Sequence, residues 1–171
     1  VIPFWKAAFD EDLPEYDSIL VYRSESNLEA TPIYWKRARF EKKDAGHFWL
    51  SETPEKESFG WGAACVRICC WVQLHDKQDG KDFLFVNTHL DHRGSLARKN
   101  GLALVRERIA SMNPDNFPLI LMGDFNMLPD DPCLLDLDTL MSSARNVAAD
   151  SDTKTSYNGW GSGSRILDYI Y

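Results

Sequence analysis

A chain of 171 residues, 44% hydrophobic and 26% charged, is long enough to bury a real core and has the composition of a folded globular protein. Its net charge of -7 excludes binding that depends on coating a nucleic-acid backbone with positive charge. An acidic protein can still handle a phosphate ester when a divalent cation stands between its carboxylates and the substrate.

The N-terminal residues 1–16 mix apolar side chains (Phe4, Trp5, Phe9) with Asp10, Glu11 and Asp12, and predict a helix ended by Pro14. A strand is expected over 17–22, a polar loop over 23–30, and a second strand over 31–40. A hairpin is expected around Lys43-Asp44-Ala45-Gly46, with 47–50 as its short returning partner. Residues 51–62, with Pro54, Gly60 and Gly62, read as a loop that Trp49, Phe59 and Trp61 can anchor.

The apolar segment 63–74 predicts a strand interrupted by Arg67, and Asp79-Gly80 predicts a hairpin returning through 82–89. Leu102, Val105, Ile109 and Met112 fall on one face of a helix over 95–112, which Pro114 follows. The run Pro118 to Met122 predicts a strand buried on both faces, entering Gly123-Asp124-Phe125-Asn126. Residues 130–149 read as helix and loop, 153–164 as a Gly- and Ser-rich loop, and 165–171 as a closing strand. Strands outnumber helices, so the fold class is α+β, a mixed sheet with helices on its faces. Cys65, Cys69, Cys70 and Cys133 lack zinc-site spacing and read as core. Nothing argues for a disulfide scaffold, which favours a reducing, cytoplasmic setting, and no apolar run is long enough to span a bilayer.

Two polar strand ends concentrate the chemistry. Asn87-Thr88-His89-Leu90-Asp91-His92 closes one strand, Asp124 and Asn126 close another, and a single helix separates them. Ligands in such sheets sit at the carboxyl ends of strands. If the extended backbone continues past Gly123, Asp124 and Asn126 share a face and offer oxygens to a metal or phosphate. A strand ending in an ordinary Gly-Asp-Asn turn is the competing account. Arg67 in an apolar strand needs an anionic partner, a phosphate or a carboxylate. Asp168, between Leu167 and Tyr169, needs a partner if that strand is buried.

In the order and rough spacing of TPIYWK (31–36), HFWLSETP (47–54), NTHLDH (87–92), MGDFN (122–126) and RILDYIY (165–171), the sequence resembles the endonuclease/exonuclease/phosphatase family over nearly its whole length. The resemblance implies two stacked mixed β-sheets flanked by helices, the deoxyribonuclease I-like four-layer sandwich, with 1–171 forming a single domain. It implies a Mg²⁺- or Mn²⁺-dependent phosphoesterase acting on a phosphodiester or phosphomonoester, an exonuclease-like nuclease included. His89 is similar to the family's phosphate-stabilising His, and Glu29 to the acid that orients it. Arg67 is similar to a phosphate-contacting Arg. Asp124 resembles the acid that positions or deprotonates water, Asn126 the amide that holds phosphate or metal, and Asp168 the acid that orients a second His. Asp124 and Asn126 are therefore the expected metal ligands. By the same resemblance, a metal-binding Glu and a Ser-Asp-His segment lie beyond the two ends. The chain is then expected to be an internal piece of a longer domain, folding poorly and hydrolysing little alone.

Two rivals stand beside that reading. A non-catalytic binding module on the same fold is one. A metallo-β-lactamase-type zinc hydrolase is the other, but position 87 is Asn and His92 is the last His, so a dinuclear zinc site cannot be filled. Trp49, Trp61 and Trp160 can stack on a base or sugar, or anchor their own loops.

Overall fold

A computed structural model describes residues 1–152 and 154–171 of the chain. Helix α1 (Pro3–Asp12) precedes strands β1 (Tyr16–Ile19), β2 (Ile33–Lys36), β3 (Phe40–Trp49), β4 (Ile68–Asp76) and β5 (Lys81–His89). There follow α2 (Ser95–Met112), β6 (Leu119–Asp124), α3 (Pro132–Asp138), α4 (Ala144–Val147) and β7 (Asp168–Ile170). Strands β3 to β7 form one five-stranded sheet in sequence order, antiparallel except for the parallel pair β5 and β6 that α2 connects. Strands β1 and β2 make a separate antiparallel pair. Of the two expected mixed sheets, the five-stranded one is mixed and the β1–β2 pair is antiparallel among the described residues.

Period-two alternation places one core on each face of the large sheet. On one face, Cys69, Leu84, Val86 and Leu121 pack under Leu102, Val105 and Ile109 of α2 and under Leu134 and Leu137 of α3. Each such side chain contributes on the order of 1.5–3 kcal/mol when fully buried. On the other face, Cys70, Val72 and Leu74 of β4 pack on Ile33 and Trp35 of β2. The β1–β2 pair covers only part of that face, so β6 is half-buried instead of buried on both sides, and only Leu121 is fully enclosed within it.

The expected hairpin at Lys43–Gly46 is absent. The chain reverses at residues 37–39, between β2 and β3, so the expected strand over 31–40 is divided between two sheets. Asp44 and Gly46 lie within β3, an edge strand, where a register shift between Lys42 and Asp44 takes up the extra residue. Gly46 serves packing instead of turning: a Cβ there would stand 3.0 Å from the Trp71 indole. The Asp79-Gly80 hairpin does form, with Gly80 at φ 67°. Strand β4 begins at Ile68, so Arg67 stands at its threshold instead of interrupting it. The 153–164 loop contains a short 3-10 turn at Gly159–Gly161, and Thr153 lies outside the described residues. Cys69 and Cys70 are core as expected, whereas Cys65 and Cys133 are partly exposed. Among the described residues, no helix is long and apolar enough to cross a membrane.

Candidate active site

The parallel ladder between β5 and β6 ends by pairing Thr88 with Gly123 and His89 with Asp124. Gly123 has φ 146°, and a Cβ built there would lie 1.8 Å from the Thr88 carbonyl oxygen. Only glycine permits that approach, which is the reason a Gly precedes the acid. The pairing continues one step further, where the Leu90 N–H donates to the Asp124 carbonyl at 2.9 Å. His89 Nε2 consequently stands 3.4 Å from Asp124 Oδ2.

On the other side of the imidazole, Nδ1 donates to Glu29 Oε1 at 3.1 Å. Glu29 reaches this place from the loop before β2. Asn87 Nδ2 donates to the Pro32 carbonyl at 2.9 Å, and Tyr22 and Ala30 form a β-bridge that closes the loop behind it. The hydrogen bond from His89 and the charge of Arg23 hold the Glu29 carboxyl down at about 2, against its partial burial. Arg23 Nη2 lies 2.8 Å from Glu29 Oε2. Arg23 lies in the stretch expected as a polar loop, and nothing local in sequence marks a polar residue after a strand as buried.

Asp124 is in the opposite electrostatic condition. Burial pushes its carboxyl up, and the neighbouring Asp168 adds to this, against relief from His89 and the Asn126 N–H. Asp168 is the register partner of Asp124 across β6 and β7. It opens β7 and is exposed, so the expectation of an acid inside a buried strand is corrected: water solvates it at the rim. Asn126 does not continue the strand. Its φ is 52°, its N–H donates to Asp124 Oδ1 at 2.9 Å, and its Nδ2 donates to the Leu90 carbonyl at 3.0 Å. The turn account of this stretch therefore holds, and the expectation that an extended backbone carries Asp124 and Asn126 on one face is corrected. Phe125 between them is fully buried and stacks on Tyr171 at 6.1 Å between ring centroids.

Arg67 is 4% exposed. Its Nη2 donates to His92 Nδ1 at 3.1 Å, and its Nε lies 3.8 Å from Asp91 Oδ1, while Nε and Nη1 have no hydrogen-bond partner among the described residues. A buried guanidinium with free donors is suited to an anion. Burial pulls its pKa down. It lines a narrow cleft together with Arg23, Glu29, Thr31 and His89.

Asp91, another residue missed in sequence, is a loop clamp. Its carboxylate accepts from the Ala64, Arg93 and Gly94 N–H groups at 3.0, 3.0 and 2.7 Å. Burial opposes its charge, but these amides hold its carboxyl below the usual range. Cys65, Asp91 and His92 bring ligand-type atoms within 4.8 Å of one another. The guanidinium donating to His92 Nδ1 and the amides on Asp91 make that cluster a poor cation site. Among the loop aromatics, the Trp49 indole donates to the Arg23 carbonyl at 2.9 Å and anchors its loop. Phe59 and Trp160 do not anchor; Trp160 is 98% exposed.

The chain is 32% identical, over 133 residues, to an uncharacterised protein of Acanthamoeba polyphaga mimivirus, a match covering 75% of this chain and 48% of that protein. It superposes on an endonuclease/exonuclease/phosphatase protein of Bacteroides vulgatus with TM-score 0.89 and 29% identity, covering 99% of this chain and 69% of the other. A mannosyl-6-phosphatase of Bacteroides thetaiotaomicron gives TM-score 0.82 and 30% identity, covering 96% and 65%. The structural neighbours of the chain are members of the endonuclease/exonuclease/phosphatase family, in agreement with the resemblance read from its sequence. The chain has the deoxyribonuclease I-like fold, α+β with the five-stranded mixed sheet described above. No family profile matches the chain. It spans about half the length of its curated viral relative and about two thirds of these solved family members. The endonuclease/exonuclease/phosphatase family typically uses a divalent metal. Asp124 and Asn126, the ligands the resemblance implies, offer a carboxylate and an amide oxygen, donors of the hard type that suits such an ion, and Asp168 is the register partner of Asp124.

Proposed function

We propose that this chain carries the catalytic rim of a phosphoesterase that hydrolyses a phosphomonoester or phosphodiester with metal-activated water. The observation that carries the reading is the placement of one imidazole between two carboxylates, beside a buried guanidinium with free donors. In this reading Arg67 and His89 bind the phosphoryl oxygens and neutralise charge as it develops. Glu29 orients His89 through Nδ1. Asp124, its proton affinity raised by burial, accepts a proton from the attacking water. Asp124, Asn126 and Asp168 would hold Mg²⁺ or Mn²⁺. The ion, when bound, polarises the phosphoryl group and acidifies water. Residues 1–171 are read as part of one domain of the family, within a four-layer sandwich.

The substrate is read first as a small phosphomonoester. The acidic balance of the chain disfavours extended nucleic acid, and a relative of 30% identity is named as a sugar-phosphate phosphatase. The test is phosphate release by the protein that carries this chain, from mannose 6-phosphate, single-stranded RNA and plasmid DNA, with Mg²⁺ or with EDTA. Turnover that needs Mg²⁺ and vanishes in Asp124→Asn supports the reading. Binding of phosphate esters without turnover would instead mark a non-catalytic module.

A further inference from the structure

Arg23 is nearly as buried as Arg67, at 8% exposure, although it stands in a loop. A long cationic side chain is rarely enclosed unless it is paired. Its surroundings are built on both sides. The Trp49 indole holds its carbonyl, and its own N–H donates to the Glu29 carbonyl at 2.9 Å. Its backbone is thus tied to the residue that its side chain also grips. The guanidinium takes Glu29 Oε2 at 2.8 Å, and the other oxygen, Oε1, is the one that meets His89 Nδ1 at 3.1 Å. One carboxylate is shared between a fixed cation and the imidazole.

We infer that Arg23 is a positioning residue: it grips one oxygen of Glu29 so that the other sets the orientation and tautomer of His89. The inference rests on the phosphoesterase reading only for its consequence in catalysis, and the geometry it concerns exists without substrate. Without Arg23, Glu29 sits in a loop with side-chain freedom about three torsions, and its grip on the imidazole is one conformer among several. With Arg23, the proton of the neutral ring is held at Nδ1 and Nε2 is presented to Asp124 and the cleft. Among the described residues, the charged groups around this unit are Glu29 and Arg23 from the loop before β2, the Val1 ammonium, Arg67 from the threshold of β4, Asp124 from β6 and Asp168 from β7. Of these, only Arg23 lies on Glu29 within ion-pair distance. Supporting partners of this kind typically alter activity about 10–100-fold when removed.

The test has two arms. In the first, the ¹⁵N signals of the His89 imidazole are recorded at a pH where the ring is neutral. The parent is expected to show the Nδ1–H tautomer, Arg23→Met or Arg23→Gln a mixture, and Arg23→Lys the parent signal restored. Parent-like imidazole signals in a folded Arg23→Met or Arg23→Gln variant overturn the inference. In the unsubstituted protein the Arg23 guanidinium protons are expected in slow rotation and exchange, and Glu29→Gln is expected to release them. Averaged Arg23 signals in the parent overturn it as well, even if no Arg23 variant folds. In the second arm, Arg23→Met is expected to lower kcat about 10–100-fold with KM held within about threefold. A raised KM at unchanged kcat contradicts positioning and assigns Arg23 to substrate binding. A parent that does not turn over counts against hydrolysis alone, because the imidazole signals decide the role of Arg23 independently.

Discussion

His89 and Asp124 are register partners on adjacent parallel strands, and their side chains meet at 3.4 Å between Nε2 and Oδ2. The contact is a product of the ladder itself, since a parallel pair brings two carboxyl-terminal strand ends to the same edge. Asp124 is held there against its electrostatic preference, with burial and Asp168 both opposing its charge. Replacing it by Asn keeps the oxygen that accepts the Asn126 N–H and removes the charge. Asp124→Asn is therefore expected to raise Tm, by roughly 2–4 °C, while reducing turnover by at least about 100-fold. Differential scanning calorimetry in EDTA, paired with the phosphate-release assay, checks both halves.

Glu29 should produce a dependence on pH of the opposite sign. Its carboxyl is depressed from 4.5 to about 2 in the fold, chiefly by the hydrogen bond from His89. A depressed carboxylate contributes stability that is fully present above its unfolded value and is lost as pH falls through the folded one. The stability difference between parent and Glu29→Gln is expected to be constant above about pH 5 and to shrink steadily toward pH 2. Urea denaturation at a series of pH values measures it. A difference that grows on acidification contradicts the assignment.

Gly123 is the position where a single methyl group should do most harm. The backbone of β6 runs so close to Thr88 that a Cβ at Gly123 would overlap its carbonyl oxygen. Gly123→Ala must spread β5 from β6 and is expected to cost at least about 2 kcal/mol, read from urea midpoints. Gly62, at φ 73° with open space around a built Cβ, should cost about 1 kcal/mol when changed to Ala.

Arg67 separates binding from stability. Its buried Nε and Nη1 have no hydrogen-bond partner among the described residues, which leaves a desolvation cost that an anion would relieve. Asp91 keeps its three backbone donors when Arg67 is removed. Arg67→Met is expected to leave stability unchanged or raised, while KM for a phosphate ester rises at least about tenfold. Loss of several kcal/mol of stability in this variant would mean that the guanidinium serves the fold.

Much of this arrangement was legible in the residues. Helix α2 follows from the spacing of Leu102, Val105 and Ile109, and the β4–β5 hairpin from Asp79-Gly80. His89 and Asp124 could be paired in advance because one helix between two polar strand ends implies a parallel crossover. What stayed hidden depended on contacts distant in sequence. The Lys43–Gly46 stretch carries turn residues but lies in a strand, because its pairing with β4 and the bulge at Lys43 outweigh local preference. Arg23 and Asp91 look like ordinary surface residues until Glu29, Trp49 and the amides of two loops close over them. The β4–β5 hairpin and the β5–α2–β6 crossover were readable, whereas the burial of the polar margins was not.

The ladder beneath His89 and the loop beneath Glu29 differ in how they give way. His89 and Asp124 are carried by the two strands under α2, where separating them means dismantling the main core. Glu29 and Arg23 are carried by a loop held by one β-bridge and by hydrogen bonds from Trp49 and Asn87, outside the main core, and such a loop opens below the global unfolding free energy. Warming should thus disarm the protein in two stages. The imidazole first loses its orienting carboxylate while every strand is intact, so inactivation precedes melting and reverses on cooling.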